Sequence, residues 1–399
     1  MELDLTPRLE ARRISLLSGA AYAGMFVFGI VMALLGAVLP ALAGRLHFEI
    51  ADIGTLFLVM NGAMLATSLV VGLTIDRFGI KLPLSLAPLM VAAALVLVLR
   101  ATASAALLPA VALLGIGGGA LNGATNTLVA DLHDDERRKS AALNLLGVFF
   151  GFGALFLPFS IGALLARLSI APLLAAAAVL CAAAGIFAAT LRFPAPKQRN
   201  DLPVADIPRF LRSPMVLALA LLLFFESGVE FTLGGFISTY LTHDMALSSV
   251  SLASWILAGY WGSVMVSRAV LSRLALASDP YRTLLFCATG ACVGSLLAAV
   301  APSPVVSAFA ILLCGWSLAG IYPTALGIAG SRFQSHSGTV FGILFAVALS
   351  GGMLFPWVAG QLGGAAGLRW VFGMIAAAFA AIVALSRLAA GLSIRKEAE

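Results

Sequence analysis

Charged side chains are scarce in this chain of 399 residues, since Asp, Glu, Lys and Arg together make up only 11%. Hydrophobic residues make up 61%, and the mean hydropathy is +1.05. Soluble domains are on average about half apolar and about a quarter charged, so this composition excludes a chain that folds in water. Lipid must be the solvent for most of it. The formal net charge of +6 then indicates cationic loops on one side of a membrane, and we expect no nucleic-acid partner.

Residues for metal binding and redox chemistry are also few. The cysteines, Cys181, Cys287, Cys292 and Cys314, lie in apolar runs, which indicates small buried side chains. The four histidines form no cluster with metal-ligand spacing. No nucleophile–base constellation is visible, and the glycines at 117–119 are not followed by the Lys-Ser/Thr of a phosphate-binding loop. The sequence therefore predicts no metal, no cofactor and no enzymatic activity.

Polar segments long enough to form a soluble domain are missing as well. Twelve apolar runs of about 20 residues predict an all-α membrane protein with twelve transmembrane helices. The runs cover residues 17–43, 53–74, 82–100, 105–130, 140–165, 170–191, 214–241, 250–275, 283–301, 304–330, 340–363 and 368–390. The longest interruption, 192–213, is polar and contains four prolines. It predicts a cytoplasmic linker between two six-helix bundles, residues 1–191 and 214–399.

One sequence motif recurs in each half of the chain. Residues 155–162, Leu-Phe-Leu-Pro-Phe-Ser-Ile-Gly, return 198 positions later as Met-Leu-Phe-Pro-Trp-Val-Ala-Gly at 353–360. At the same offset Gly153 corresponds to Gly351. Because the offset is about half of the chain, the two halves are interpreted as pseudo-symmetric copies of one membrane unit. Such repeats are typical of proteins that move a solute through the seam between the copies.

Lys and Arg are distributed unevenly between the two sides of this topology. Of the 24 Lys and Arg residues, only Arg45, Arg100, Arg167 and Arg369 fall on one side, and the other twenty fall on the side of both termini. Cytoplasmic loops carry the excess of Lys and Arg, so both termini are predicted to be cytoplasmic. The first apolar run is too long for a cleaved signal peptide, and we expect a multi-pass protein of a bacterial inner membrane.

The loop after the second run carries five residues with a characteristic spacing, Gly72, Asp76, Arg77, Gly79 and Lys81. Gly72 permits close approach of helices, and Gly79 allows a tight turn. Asp76 can cap a helix or pair with an arginine at a neighbouring helix end, while Arg77 and Lys81 hold the loop on the cytoplasmic side. This spacing resembles the loop signature of the major facilitator superfamily.

The resemblance implies the major facilitator fold, in which two six-helix bundles rock about a central cavity. It also implies that the loop latches one state through charge pairs at the cytoplasmic face. The five loop residues, together with Arg137 in the mixed-charge segment 131–139, are therefore expected to form a cytoplasmic gate.

Segments in five predicted spans resemble the fucose–proton symporter branch of that superfamily, which includes glucose and mannose permeases. They are residues 115–129, 142–158, 228–240, 259–262 and 320–324. The chain departs from the branch at Asn122, Gly147 and Phe236, where relatives often carry an acid, a histidine and a tryptophan. The first departure removes a candidate proton carrier from the N-terminal half. The resemblance implies proton-coupled transport of a sugar.

Two acids stand out, because among the 18 Asp and Glu residues only Glu226 and Glu230 lie deep inside a predicted span. A charge there costs roughly 2.5–3.5 kcal/mol on insertion scales. Their spacing of four places both on one helix face, where two carboxylates cannot readily both ionise. A proton taken up on one side and released on the other would make the pair a proton carrier. The alternative is a structural pair, either neutral and hydrogen-bonded or neutralised by an arginine at the helix end.

Amides and aromatic side chains in the apolar spans are candidates for binding a solute. Amides offer both donors and acceptors to sugar hydroxyls, and aromatic faces can stack on a pyranose ring. The competing interpretations are interhelical hydrogen bonds for the amides and interfacial belts for the aromatic residues. The candidates are Asn61, Asn122, Asn126, Asn144, Tyr260, Trp261, Trp316 and Tyr322.

Together these features predict a monomeric, proton-coupled symporter in the lipid bilayer. Its partners would be a proton and a small neutral polyhydroxylated solute, for which a hexose is the expected example. Two alternatives stay open from the sequence. One is a proton-driven exporter of amphipathic compounds, which a cavity with few polar groups would suit. The other is a transporter-like sensor that binds its solute without moving it.

Overall fold

The computed structural model describes residues 6–46, 48–132, 136–194, 207–274, 279–333 and 337–397, and the regular secondary structure in these ranges is helical. The helices are α1 (Thr6–Leu46), α2 (Ile50–Phe78), α3 (Lys81–Arg100), α4 (Leu108–Asp131), α5 (Glu136–Leu164), α6 (Ile170–Thr190), α7 (Ile207–Leu211), α8 (Pro214–His243), α9 (Val250–Leu274), α10 (Pro280–Ala299), α11 (Pro304–Leu318), α12 (Ile321–Arg332), α13 (Ser337–Ala366) and α14 (Leu368–Glu397). A short 3-10 turn, Ser104–Leu107, leads into α4.

Twelve stretches in the described part of the chain are long and apolar enough to cross a membrane. They correspond one to one with the predicted spans, so the predicted fold class is confirmed. The tenth stretch, Pro304–Arg332, contains both α11 and α12, because the helix is interrupted between them. Of the predicted linker, residues 195–206 lie outside the described residues, and α7 lies in the remainder.

Helices are the structure that these apolar runs must form, because lipid offers the backbone no hydrogen-bond partner. The residues at the start of several helices also determine where these helices begin. α8 begins at Pro214, where the fixed φ of proline suits the first helical position and no intrahelical N–H bond is lost. α10 and α11 likewise have proline in their first turn, after Asp279 and Ser303, whose side chains accept hydrogen bonds from the backbone.

In the described structure the halves meet mainly along three helix pairs, which are α2 with α13, α5 with α9, and α1 with α8, and α1 also makes a smaller contact with α9. Within its own half, α5 packs against α1, and α13 packs against α8 in the same way. The two helices that contain the sequence repeat, α5 and α13, therefore occupy equivalent places. Each contacts the first spanning helix of its own half and one helix of the other half, as two pseudo-symmetric bundles require.

The repeated glycines let these equivalent helices approach closely. A Cβ on Gly153 would collide with the carbonyl oxygen of Phe26 in α1, and a Cβ on Gly351 would collide with the carbonyl oxygen of Phe224 in α8. Both positions therefore require a residue without a side chain, because backbone lies against backbone there. The repeat seen in the sequence thus reflects one packing contact used twice.

We expect Gly153→Ala and Gly351→Ala each to lower the free energy of unfolding by about 1–3 kcal/mol, because the added methyl group overpacks a backbone contact. Thermal unfolding in detergent would measure the effect. Gly342→Ala in α13 is the matched control, since its Cβ would meet no atom within 4 Å. Alanine there should be neutral or slightly stabilising. If all three variants unfolded alike, the packing role of the repeated glycines would be refuted.

The halves touch closely at the end of the seam that lies away from the termini. A Cβ on Gly36 of α1 would collide with the carbonyl oxygen of Gly234 in α8. A Cβ on Gly54 of α2 would lie 2.9 Å from the carbonyl oxygens of Pro356 and Trp357 in α13. These distances leave no passage between the helix backbones at this end.

The opposite end of the seam, which carries both termini, is open. Gly72, Gly147 and Gly342 lie there on α2, α5 and α13, and a Cβ on any of them would meet no atom within 4 Å. The structure therefore has one closed end and one open end. We refer to them below as the closed end and the open end.

Candidate functional site

Two glutamates lie in the middle of α8, one turn apart. The helix has 30 residues, and Glu226 and Glu230 follow its first residue by 12 and 16 positions. At the usual helical rise they lie about 18 and 24 Å along an axis of about 45 Å. Glu226 is fully buried, and Glu230 is 8% exposed. Both carboxyl groups are therefore far from either end of the span.

Glu230 is paired with an arginine on the next spanning helix. Nη2 of Arg268, on α9, donates a hydrogen bond of 3.2 Å to Oε1 of Glu230. The arginine side chain is 32% exposed and the glutamate side chain 11%, so solvent reaches the pair from the arginine side. Arg268 is counted among the twenty cytoplasmic cations of the topology, and it lies near the end of the eighth predicted span, inside the apolar stretch Val250–Leu271. It is a partner of a buried acid rather than a loop cation.

The carboxyl group of Glu226, unlike that of Glu230, has only a hydroxyl group as a hydrogen-bond donor in the described part of the chain. Its Oε2 accepts a hydrogen bond of 3.4 Å from the hydroxyl of Ser227, and its Oε1 has no hydrogen-bond partner among the described residues. Tyr260 on α9 and Tyr322 on α12 lie close enough to both glutamates and to Arg268 to interact with them electrostatically. An ionised carboxylate with so few donors is costly to bury. We refer to Glu226, Glu230, Arg268, Tyr260 and Tyr322 as the acid cluster.

Tyr260 and Trp261 are neighbours on α9, and both are fully buried. The ring of Trp261 packs edge-on against Phe150 of α5, with 6.1 Å between centroids, and so crosses the seam. It also fills the space beside Gly234, where a Cβ would lie 2.9 Å from the indole. The hydroxyl of Tyr260 and the indole N–H of Trp261 have no partner within the described ranges. Both groups are therefore buried donors without a protein acceptor in that part of the chain.

Tyr322 belongs to an aromatic wall that borders the open end. Its ring stacks on Phe345 of α13, with 6.5 Å between centroids and 4° between planes. Phe341, one turn before Phe345, lies 6.1 Å from it. Phe345 is 40% exposed, although it lies inside an apolar stretch. The only sequence signal for this wall is the spacing of four between the two phenylalanines, which places them on one face.

Asn122 and Asn126 form a partly buried amide pair on α4. Nδ2 of Asn126 donates to the backbone oxygen of Asn122 at 2.8 Å and to its Oδ1 at 3.2 Å. One turn before Asn122, Gly118 packs against Phe28 of α1 and Met64 of α2. The amide face of α4 is therefore directed toward the junction of these two seam helices. The side-chain N–H of Asn126 and the side-chain oxygen of Asn122 thus already form a hydrogen bond with each other.

Asn61 has a different place from the other amides, because it joins the two halves. Its Nδ2 donates a hydrogen bond of 2.9 Å to the carbonyl oxygen of Gly352 in α13, and its Oδ1 is buried without a partner among the described residues. The contact lies between the closed and open ends of the α2–α13 pair. The side chain of Asn144 lies outside the described residues.

Trp316 is not brought to the acid cluster. Its side chain is 42% exposed on α11, and Phe309 and Leu313, which precede it by seven and three positions, are exposed too. Residues with this spacing share one helix face. An exposed face made of a phenylalanine, a leucine and a tryptophan is typical of contact with lipid.

The residues expected to form a gate lie at the open end. Gly79 has φ 84°, which favours glycine, and it ends α2 before the chain turns into α3. Arg77 and Lys81 are exposed. The side chains of Asp76 and Arg137 lie outside the described residues, so their pairing stays a prediction.

Within the described ranges the four cysteines are unpaired, and three of them are buried. No group of three or more His, Cys, Asp or Glu side chains in that part of the chain is arranged to hold a metal ion. The acid cluster is therefore the main concentration of buried charge in the described structure.

Comparison with known proteins agrees with this architecture. The sequence profile described as Major Facilitator Superfamily matches residues 21–275 and, separately, residues 219–398. No curated protein matches the sequence significantly. Three solved structures illustrate the similarity in fold. A mutant of the nucleoside transporter NupG is 14% identical, with 94% of this chain and 99% of that chain covered and a TM-score of 0.77.

A bacterial homologue of the human lysosomal transporter Spinster, in an inward-facing and unoccupied conformation, is also 14% identical. Here 94% of this chain and 97% of that chain are covered, and the TM-score is 0.75. A mutant of the Escherichia coli fucose:proton symporter FucP is 18% identical, with 94% and 99% covered and a TM-score of 0.66. At these sequence identities, the similarity to the three structures shows a shared fold and nothing more. It does not single out the fucose branch from its neighbours.

Proposed function

The chain belongs to the Major Facilitator Superfamily and is a membrane transporter, and on this premise we propose that it imports a small neutral polyhydroxylated solute together with a proton. A hexose is the expected solute, and rocker-switch alternating access is the expected mechanism. The protein would act as a monomer in an inner membrane, with the open end and both termini in the cytoplasm. The acid cluster at mid-depth is the observation that carries this proposal.

The charges of the cluster support a role in proton binding. Two carboxyl groups face one guanidinium, so the cluster has a net charge of −1 if both acids are ionised and is neutral with one proton. The proton is assigned to Glu226, because Glu230 holds Arg268 at 3.2 Å while Glu226 has only a hydroxyl contact of 3.4 Å. Among the described residues, the phenols of Tyr260 and Tyr322 also interact electrostatically with it.

Alternating access would then decide on which side the proton is exchanged. In the present conformation solvent reaches the cluster from the open end, through the partly exposed Arg268. When the open end closes and the helices at the closed end separate, solvent would reach the cluster from the other side of the membrane. Because both acids lie on α8, which packs against α1 of the other half, rocking of the halves changes their surroundings directly.

The surroundings of the seam favour a neutral solute with hydroxyl groups. With one proton the cluster is neutral, so a charged solute would introduce an unbalanced charge at mid-depth. Asn122 and Asn126 offer amide donors and acceptors from the N-terminal half, and Tyr260 and Trp261 offer unpaired donors from the other half. The exposed ring of Phe345 offers a flat apolar surface for the face of a sugar ring.

Nucleosides are the second candidate class. The stacked rings of Tyr322 and Phe345, inclined by only 4°, would also suit a planar base. The nucleoside transporter NupG shares the fold of this chain. An aromatic base should bind this wall more strongly than a pyranose, so the two classes can be separated by comparing ligands.

The available driving force is adequate for accumulation. One proton moving down 100 mV supplies about 2.3 kcal/mol, and one pH unit adds about 1.4 kcal/mol. Together these terms allow a neutral solute to be concentrated by roughly several hundred-fold at one proton per solute.

Uptake into proteoliposomes with an imposed pH gradient tests the proposal. A panel of radiolabelled hexoses, sugar alcohols, nucleosides and organic anions would be presented with the outside acidic or at equal pH. The proposal expects one neutral polyhydroxylated compound to accumulate only with the gradient. Accumulation of a cationic drug against an opposite gradient would instead identify an exporter, and binding without flux would identify a sensor.

A further inference from the structure

An apolar groove runs along the outer surface of the N-terminal half, away from the acid cluster. It lies between α2 and α3 with α4 as its floor, and its volume is about 530 Å³. Ala63, Val70 and Thr74 line it on α2, and Leu82 and Met90 line it on α3. Apart from two threonines its lining residues are alanine, valine, leucine, isoleucine, methionine and proline. Such a surface fits hydrocarbon.

The groove faces the bilayer rather than the seam. α2 contacts α13 through Asn61 and Gly62, whereas Ala66 and Val70, in the groove, lie on another face of the same helix. Val70 and Leu86 are both exposed, although they lie in spanning stretches. An exposed apolar side chain at this depth is in contact with lipid, so the groove is accessible to acyl chains.

The length of the groove corresponds to one leaflet. From Thr74 to Ala63 the groove follows eleven residues of α2, which is about 16 Å of helix. The hydrocarbon core of a bilayer is about 30 Å thick. The groove therefore extends from the open end of the bundle to about the middle of the membrane, as a single acyl chain does.

Cations flank the mouth of the groove. Arg77 follows Thr74 by three positions, and Lys81 directly precedes Leu82, so both lie where the groove reaches the end of the bundle. Both residues are exposed. The guanidinium of Arg77 lies over the ring of Phe78 at 5.4 Å, and this exposed ring keeps the charge at the surface. The groove is apolar, is about as long as one leaflet is thick, and has two cations at its mouth. It is therefore complementary to a lipid with a negatively charged headgroup.

We propose that this groove binds one acyl chain of an anionic phospholipid, whose phosphate-bearing headgroup is held by Arg77 and Lys81. This site is separate from the acid cluster, and the inference holds whether or not the protein couples transport to protons. It assigns the two loop cations a lipid ligand at the open end, in addition to any role in a gate.

Binding of a chain-labelled phosphatidylglycerol to the purified full-length protein, followed by fluorescence anisotropy in detergent at low salt, tests the site. Each cation near an anionic lipid surface is worth about 1 kcal/mol, or about fivefold in affinity. Arg77→Gln with Lys81→Gln should therefore weaken phosphatidylglycerol binding by about 25-fold and leave binding of phosphatidylcholine with the same chains unchanged. Arg100→Gln with Arg167→Gln, which removes exposed cations of the other side, should change neither.

A variant that fills the groove distinguishes the contribution of the acyl chain to binding from the contribution of the headgroup. Ala66→Phe should weaken the binding of both lipids, because the ring occupies the space of the acyl chain. Unchanged thermal unfolding of each variant in detergent would establish that it is folded. Equal affinity of the wild type for the two lipids, or a preference retained in the double variant, would overturn the proposal. Displacement by millimolar glycerol phosphate as effectively as by the whole lipid would overturn it too, since it would identify a site for soluble anions.

Discussion

Replacement of Glu226 or Glu230 by glutamine should abolish uphill accumulation of the solute, from roughly several hundred-fold under a combined potential and pH gradient to none. Glutamine keeps the shape of the side chain but can neither take up nor release a proton. Glu226→Gln should still permit counterflow exchange, because it mimics the neutral acid and leaves the pair between Glu230 and Arg268 in place. Uptake and counterflow in proteoliposomes measure the two activities separately.

The control for this prediction is Glu49→Gln, which removes an exposed acid just before α2. It should accumulate solute like the wild type. Gradient-driven accumulation that persists in both cluster variants would remove the proton role from these acids. Loss of exchange as well as accumulation in Glu226→Gln would instead indicate that this side chain binds the solute.

Arg268→Met should produce the second large effect, the loss of transport together with a loss of stability. It removes the cation that holds Glu230 and leaves two buried acids without a counter-charge. Breaking a fully buried ion pair costs about 3–5 kcal/mol. Because the arginine is partly exposed, we expect about 1–3 kcal/mol here. Thermal unfolding in detergent and uptake in proteoliposomes would measure the two losses.

A double-mutant cycle distinguishes the lost pair from a general disturbance of α9. Adding Glu230→Gln to Arg268→Met removes the unpaired charge, so it should restore most of the stability without restoring accumulation. Arg167→Met, at an exposed position outside the spans, should leave both properties unchanged. Additive losses of stability in the cycle would contradict a direct interaction between the two side chains.

Much of the fold could be predicted from the sequence because lipid leaves the backbone few choices. An apolar run of about 20 residues must form a spanning helix, and twelve such runs correspond to twelve stretches in the structure. The repeat at Gly153 and Gly351 was informative for a physical reason, since each glycine lies against a backbone carbonyl of the first spanning helix in its half. The interruption between α11 and α12 was not predicted, because both sides of it are equally apolar.

The candidate site was only partly predictable. Glu226 and Glu230 were conspicuous because acids are rare in the spans, and the structure places them together at mid-depth. Arg268 was counted with the cytoplasmic cations although it lies within the predicted span 250–275, because a cation near the end of a span resembles a loop cation unless its partner is known. The structure instead shows that it contacts Glu230.

Aromatic residues were the hardest to assign from the sequence. A spanning helix is apolar on the faces that meet lipid and on those that meet a cavity, so periodicity does not separate the two. For this reason Trp316 was included among the candidates, although it shares an exposed face with Phe309 and Leu313. For the same reason Phe345 was omitted, although it stacks on Tyr322 beside the acid cluster.

Coupling of solute entry to proton entry through Glu226 is tested most directly by the pH inside proteoliposomes that carry no imposed gradient. A trapped pH indicator would be followed after the solute is added outside, with valinomycin and potassium present to dissipate any membrane potential. The wild type should acidify the interior as solute enters, and Glu226→Gln should exchange solute with no change in pH. Entry of solute into wild-type vesicles at constant internal pH would contradict the coupling.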